Sequence, residues 1–145
     1  MLVSQPKMIT QTFIPDFMEV LSDVGWIELS NYNPKGSVLV MNSKFKLGYL
    51  KPKEFSNYNY TGTLLEIETD SCRLYIKPSV FILTNDKPCK GKDLHRGDLL
   101  NRYNMWSRID TIVPGEWSGK LFSLFFGEQL YLPVRFEKDY CLLIV

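Results

Sequence analysis

The sequence predicts an all-β protein, and three observations carry that prediction. Apolar residues recur in short runs separated by turn residues. Helical periodicity is nearly absent. Two stretches of similar pattern lie about 60 residues apart, as expected for two β-units that bury one face against each other. The length of 145 residues suits one domain spanning 1–145, with residues 1–12 as an N-terminal extension.

Taken in order, Asp16–Leu21 is the one helical candidate, too short to persist without packing. Ser37–Met41 reads as a strand after the turn signal Asn33-Pro34-Lys35-Gly36. Thr63–Thr69 partly alternates and ends at Asp70-Ser71, and Arg73–Ile76 answers it across that two-residue turn, which makes a hairpin. Phe81–Leu83, Ser107–Val113, Lys120–Phe126, Leu130–Leu132 and Tyr140–Val145 are further strands. So many short strands imply a sandwich or barrel rather than alternating strands and helices.

The internal duplication has three parts. Trp26-Ile27-Glu28-Leu29 before Gly36-Ser37-Val38-Leu39 is matched by Gly91-Lys92-Asp93-Leu94 before Gly97-Asp98-Leu99-Leu100. Tyr60-Thr61-Gly62-Thr63-Leu64 is matched by Trp117-Ser118-Gly119-Lys120-Leu121. The chain therefore reads as two pseudo-symmetric halves.

Composition narrows function. Hydrophobic residues make up 45% and aromatics 14%, enough apolar area for a core, and the net charge of +1 gives no general attraction to nucleic acid. Cys72, Cys89 and Cys141 have no Cys-x-x-Cys spacing, so they read as free thiols in a reducing compartment. Met1–Thr10 lacks the apolar run of a signal peptide, and no stretch approaches the roughly 20 apolar residues of a membrane span. The expectation is a soluble, intracellular, cytoplasmic protein.

Several residues invite chemistry. His95, the lone histidine, has Asp93 and Asp98 nearby but in a loop, so no metal site is expected and a solvated histidine is the plainer reading. A Cys141–His95 dyad would make a nucleophile, whereas the apolar run around Cys141 favours a buried, inert thiol. Arg96-Gly97-Asp98 reads as a turn. Lys44, Lys46, Lys51 and Lys53 interleave with Phe45, Tyr49 and Phe55, which fits either a single-strand nucleic-acid grip or a solvated hairpin whose lysines discourage edge pairing. Trp106 and Trp117 fit either a protein interface or core packing.

Met18-Glu19-Val20-Leu21-Ser22-Asp23-Val24-Gly25-Trp26, Tyr60–Thr69, Lys90–Leu100 and Ser107–Ile112 form an ordered set over nearly the whole chain. In that order they resemble motifs of the Hint (hedgehog/intein) superfamily, whose domains are all-β with two pseudo-symmetric halves. The resemblance implies a place for a Cys, Ser or Thr nucleophile that takes over the preceding peptide bond. It also implies a Thr-Pro-x-His turn that polarises the scissile amide and protonates its leaving nitrogen. Phe13 holds the nucleophile place, with Thr12 one position away; Lys77 holds the Thr place and Val80 the His place. The final Asn after His of splicing domains is matched by Leu142-Leu143-Ile144-Val145, which has neither.

Three losses at three separate steps imply a domain that neither cuts nor splices itself and uses no cofactor. The expectation is a protein-binding or structural module, with another protein or a second copy as partner. Its Asn-, Lys- and Tyr-rich composition is similar to that of Hint-type proteins of phage genomes, which implies a phage or mobile-element origin and a place in host cytoplasm or virion. The alternatives are nucleic-acid binding through Lys44–Lys53, and residual autoprocessing by Thr12, Cys72 or Cys141.

Overall fold

The structure, a computed structural model, describes residues 11–85 and 87–145. Met1–Thr10, which includes most of the expected extension, lies outside the described residues. Fourteen strands follow in chain order: β1 (Phe13–Pro15), β2 (Glu19–Ser22), β3 (Gly25–Glu28), β4 (Val38–Met41), β5 (Leu47–Leu50), β6 (Glu54–Thr69), β7 (Cys72–Ile76), β8 (Phe81–Leu83), β9 (Pro88–Lys90), β10 (Leu99–Asn101), β11 (Trp106–Phe125), β12 (Tyr131–Arg135), β13 (Glu137–Lys138) and β14 (Cys141–Ile144). Among the described residues the only helical segments are two 3-10 turns, Leu29–Asn31 and Gly91–Asp93.

The strands form two sheets. One runs β1-β11-β6-β7-β13 with β10 on β11; the other runs β3-β2-β4-β12-β14-β8-β9 with β5 on β4. The expected hairpin is there: Glu66 faces Tyr75 and Ile67 faces Leu74, and the Thr69 hydroxyl takes the Ser71 and Cys72 amides across the turn. Inward side chains of both sheets meet in one main core that includes Ile14, Val20, Ile67, Leu74, Ile82, Leu124, Leu132 and Leu143.

Two expectations change. Asp16–Leu21 is no helix: Asp16 and Phe17 form a turn, and β2 begins at Glu19. Met18, Val20 and Ser22 are buried while Glu19 and Leu21 are half-buried, so the segment follows the period of two. The strands expected at Ser107–Val113 and Lys120–Phe126 are one strand, β11, which continues through Pro114-Gly115. Proline costs nothing there, because β1 covers β11 only at Leu121–Ser123, and Pro114, opposite Leu65, leaves its other side unpaired.

The pseudo-symmetry is explicit in the backbone. The two 3-10 turns are flanked by matching caps: Glu28 at φ −62, ψ 143 and Lys90 at φ −65, ψ 144. β6 and β11 then pair so that Tyr60 faces Gly119, Thr61 faces Ser118 and Gly62 faces Trp117. The two repeats thus meet at Thr61 and Ser118, whose hydroxyls bond at 2.9 Å. Each ring lies over the glycine two residues on, Tyr60 over Gly62 and Trp117 over Gly119, and neither glycine has room for a Cβ. Substituting alanine at either should push the ring off the sheet and lower stability by about 1 kcal/mol, read as a shift in the denaturation midpoint.

Candidate functional site

The matched places lie where the chain enters the fold. β1 runs antiparallel to β11, with Phe13 opposite Ser123 and Ile14 opposite Phe122. Thr12 is buried, and its hydroxyl donates to the Ile144 carbonyl at 2.5 Å. That contact lays the opening residues beside the last strand, 132 positions away in sequence. Val145 is buried too, exchanging two backbone bonds with Leu130 at 2.9 and 3.1 Å.

The turn after β7 holds the other two places. The Val80 amide donates to the Lys77 carbonyl at 3.0 Å, and the Val80 carbonyl accepts from Gly91 at 2.8 Å. Lys77 Nζ donates to the Tyr58 hydroxyl at 3.0 Å and lies over the Tyr58 and Tyr60 rings. The Phe13 ring meets the same Tyr58 edge-on, at 4.8 Å between centroids. Phe13 and Lys77, 64 positions apart, therefore converge on one tyrosine. Val80 is buried in the main core together with Ile14, Phe122 and Val145.

One residue here had no part in the sequence reading. Ser123 Oγ, directly across from Phe13, is the one buried side-chain polar atom without a hydrogen-bond partner among the described residues. Its only sequence signal is a hydroxyl inside the apolar run Leu121–Phe126.

No protein-family model matches the sequence, and no curated protein matches it. Solved structures do. An intein-like domain from Clostridium thermocellum superimposes with a TM-score of 0.77 at 12% identity, over 93% of this chain and 99% of that one. A variant of the Ssp DnaB mini-intein gives 0.75 at 11% identity, over 95% and 98%. The TvoVMA intein gives 0.70 at 12%, over 92% and 97%. The fold is Hint-like. At these identities the likeness concerns the fold, and the chemistry rests with the residues.

In this Hint-like domain the other candidates separate. His95 is exposed in the turn closed by Asp98, whose carboxylate accepts the His95 amide at 2.8 Å, and Gly97 sits at φ +93 as that turn requires. Cys141 is buried against Cys72, so the Cys141–His95 dyad does not form. No cluster of metal-binding groups occurs among the described residues, and no helix there is long and apolar enough to cross a membrane.

Lys44 and Lys46 sit on the β4–β5 turn, where Asn42 Oδ1 accepts both their amides, and Lys51 follows β5. The aromatics between them do not form a common face. Phe45 packs on Tyr103 and Tyr131, and Phe55 stacks on Phe122, which leaves only Tyr49 exposed. Trp106 is 58% exposed. Trp117 is half-buried, edge-on to Phe17, and borders a groove of about 350 Å³. Beside that groove the Glu66 carboxyl is held below its ordinary range by bonds from Arg73 and Tyr75.

Proposed function

We propose that this Hint-like domain is a non-catalytic scaffold that binds another protein. The observation that carries it is what occupies the three matched places. The three matched places hold a phenylalanine packed on Tyr58, a lysine bonded to that same tyrosine, and a valine buried in the core. None offers a nucleophile beside a scissile bond together with an acid for its leaving nitrogen. Thr12, one position before Phe13, has its hydroxyl bonded to the Ile144 carbonyl. A place in the host cytoplasm or virion, with a phage or mobile-element origin, accompanies this reading.

The binding side of the proposal rests on β5. It pairs with β4 alone, and Leu47, Tyr49 and Leu50 are exposed at 53%, 51% and 43%. Lys44, Lys46 and Lys51 flank it, and among the described residues none of them pairs with a carboxylate. An exposed apolar edge strand with basic flanks suits an extended, acidic segment of a partner, added as a further strand. The test is capture from host lysate by the unmodified chain and by Tyr49→Lys with Leu47→Lys. Capture of one protein that the double variant fails to hold supports the reading. Equal capture by both, or capture abolished by nuclease, overturns it.

The nucleic-acid alternative makes a separate prediction. Only Tyr49 remains for base stacking, and the net charge is +1. Fluorescence anisotropy with single-stranded DNA and RNA should show no binding at physiological salt. Micromolar binding that falls steeply with salt and is lost in the Lys44→Ala, Lys46→Ala, Lys51→Ala triple variant would favour that alternative.

A further inference from the structure

Away from the matched places, the two sheets touch through sulfur. Cys72 opens β7 in one sheet and Cys141 opens β14 in the other. Both are buried, and their sulfurs stand 3.1 Å apart, with the Cys141 thiol donating to Cys72. That is within the separation of two unbonded sulfur atoms at contact, so about 1 Å of approach would bring them to bonding distance. We infer that Cys72 and Cys141 form a dithiol site that closes to a disulfide by exchange with a low-molecular-weight disulfide, covalently joining the two sheets.

The surroundings favour attack by Cys72. Thr69 Oγ1 donates to its sulfur at 3.3 Å, and Ser71 Oγ lies at 3.8 Å. Arg102, only 5% exposed, is held behind them by bonds to Ser71 Oγ, Ser107 Oγ and the Tyr140 carbonyl, with Asp139 at 3.4 Å. The Cys141 bond, the two hydroxyls and the Arg102 charge outweigh burial and bring the Cys72 thiol down to about 6. Cys141 is pushed well up by its bond to Cys72 and by burial. A low thiol beside a protonated one is the arrangement of an attacking and a resolving cysteine. Cys89 lacks it: burial and Asp93 push its thiol up.

The steps balance. The Cys72 thiolate attacks one sulfur of R–S–S–R; that S–S bond breaks, and RS⁻ leaves with the pair of electrons. Cys141 gives up its proton and attacks Cys72 in the mixed disulfide, expelling the second RS⁻. The two cysteines lose two electrons and one proton between them; R–S–S–R gains both electrons, one RS⁻ takes the Cys141 proton to become a thiol, and the other is protonated from solvent, which had received the proton of Cys72. Access to Cys72 is across β13, two residues long, where Lys138 pairs with Cys72. So short an edge strand is easily lifted by local opening.

The test uses the whole chain and glutathione disulfide as probe. Intact mass should fall by about 2 Da, with a Cys72–Cys141 cross-linked peptide and one titratable thiol left after denaturation. The loop closed by the bond spans 69 positions, so oxidation should raise the Tm by about 10 °C, reversed by dithiothreitol. Cys89→Ser should still lose about 2 Da, and Cys141→Ser should not. Three alkylatable thiols, a stable glutathione adduct without the mass loss, or a link through Cys89 would overturn the inference. The unmodified chain alone decides the matter if a variant fails to fold.

Discussion

Arg102→Ala is expected to lower stability by about 3 kcal/mol, a fall of about 10 °C in Tm. Among the described residues few polar ones are as deeply buried, and none of the others carries a charge. Its guanidinium binds Ser71, Ser107 and the Tyr140 carbonyl and lies over the Tyr140 ring at 5.3 Å. Truncation leaves that carbonyl only the long 3.9 Å contact from the Cys72 sulfur and opens a cavity beside it. Asp139 is 60% exposed, so losing its partner adds little. Arg102→Lys should recover only part of the loss, because an ammonium cannot reach three acceptors in the directions a planar guanidinium does. Urea denaturation checks both, and a loss under about 1 kcal/mol for the alanine would show that the network is worth far less than its geometry implies.

Val80→His, with or without Phe13→Cys, should also cost about 3 kcal/mol. Val80 is 5% exposed, in the core with Ile14, Phe122 and Val145. An imidazole there buries two polar nitrogens among the apolar side chains of the core. Introducing these groups is therefore expected to damage folding before it could supply chemistry. Thermal melts measure the cost; a variant as stable as the unmodified chain would contradict the tight burial of Val80 in the core.

The parts of the fold that were legible in the sequence are those set by local pattern. The β6–β7 hairpin follows from alternation broken at Asp70-Ser71, and the two halves follow from Tyr60-Thr61-Gly62 and Trp117-Ser118-Gly119. β5 follows only from the solvated-hairpin reading of Lys44–Lys53, because Leu47-Gly48-Tyr49-Leu50 is largely exposed and shows no buried face of its own. Asp16–Leu21 misled because six residues fit either period, and only the core on Met18 and Val20 decides between them. The places Phe13, Lys77 and Val80 come from the Hint resemblance; Tyr58, the neighbour that Phe13 and Lys77 share, does not, since nothing local links it to either. The Cys72–Cys141 contact joins strands of different sheets, and Arg102 lies in Asn101-Arg102-Tyr103-Asn104, which looks like an exposed loop until Tyr140 closes over it.

The central claim is that the matched places of this Hint-like domain carry no acyl-transfer chemistry. Incubating the unmodified chain with hydroxylamine or dithiothreitol, which trap esters and thioesters, and following its intact mass tests this most directly. The account predicts one species of full-length mass at all times, apart from the loss of two hydrogens if Cys72 and Cys141 join. A fragment broken beside Thr12, Phe13, Cys72 or Cys141 would contradict it and make this domain an active self-processing enzyme.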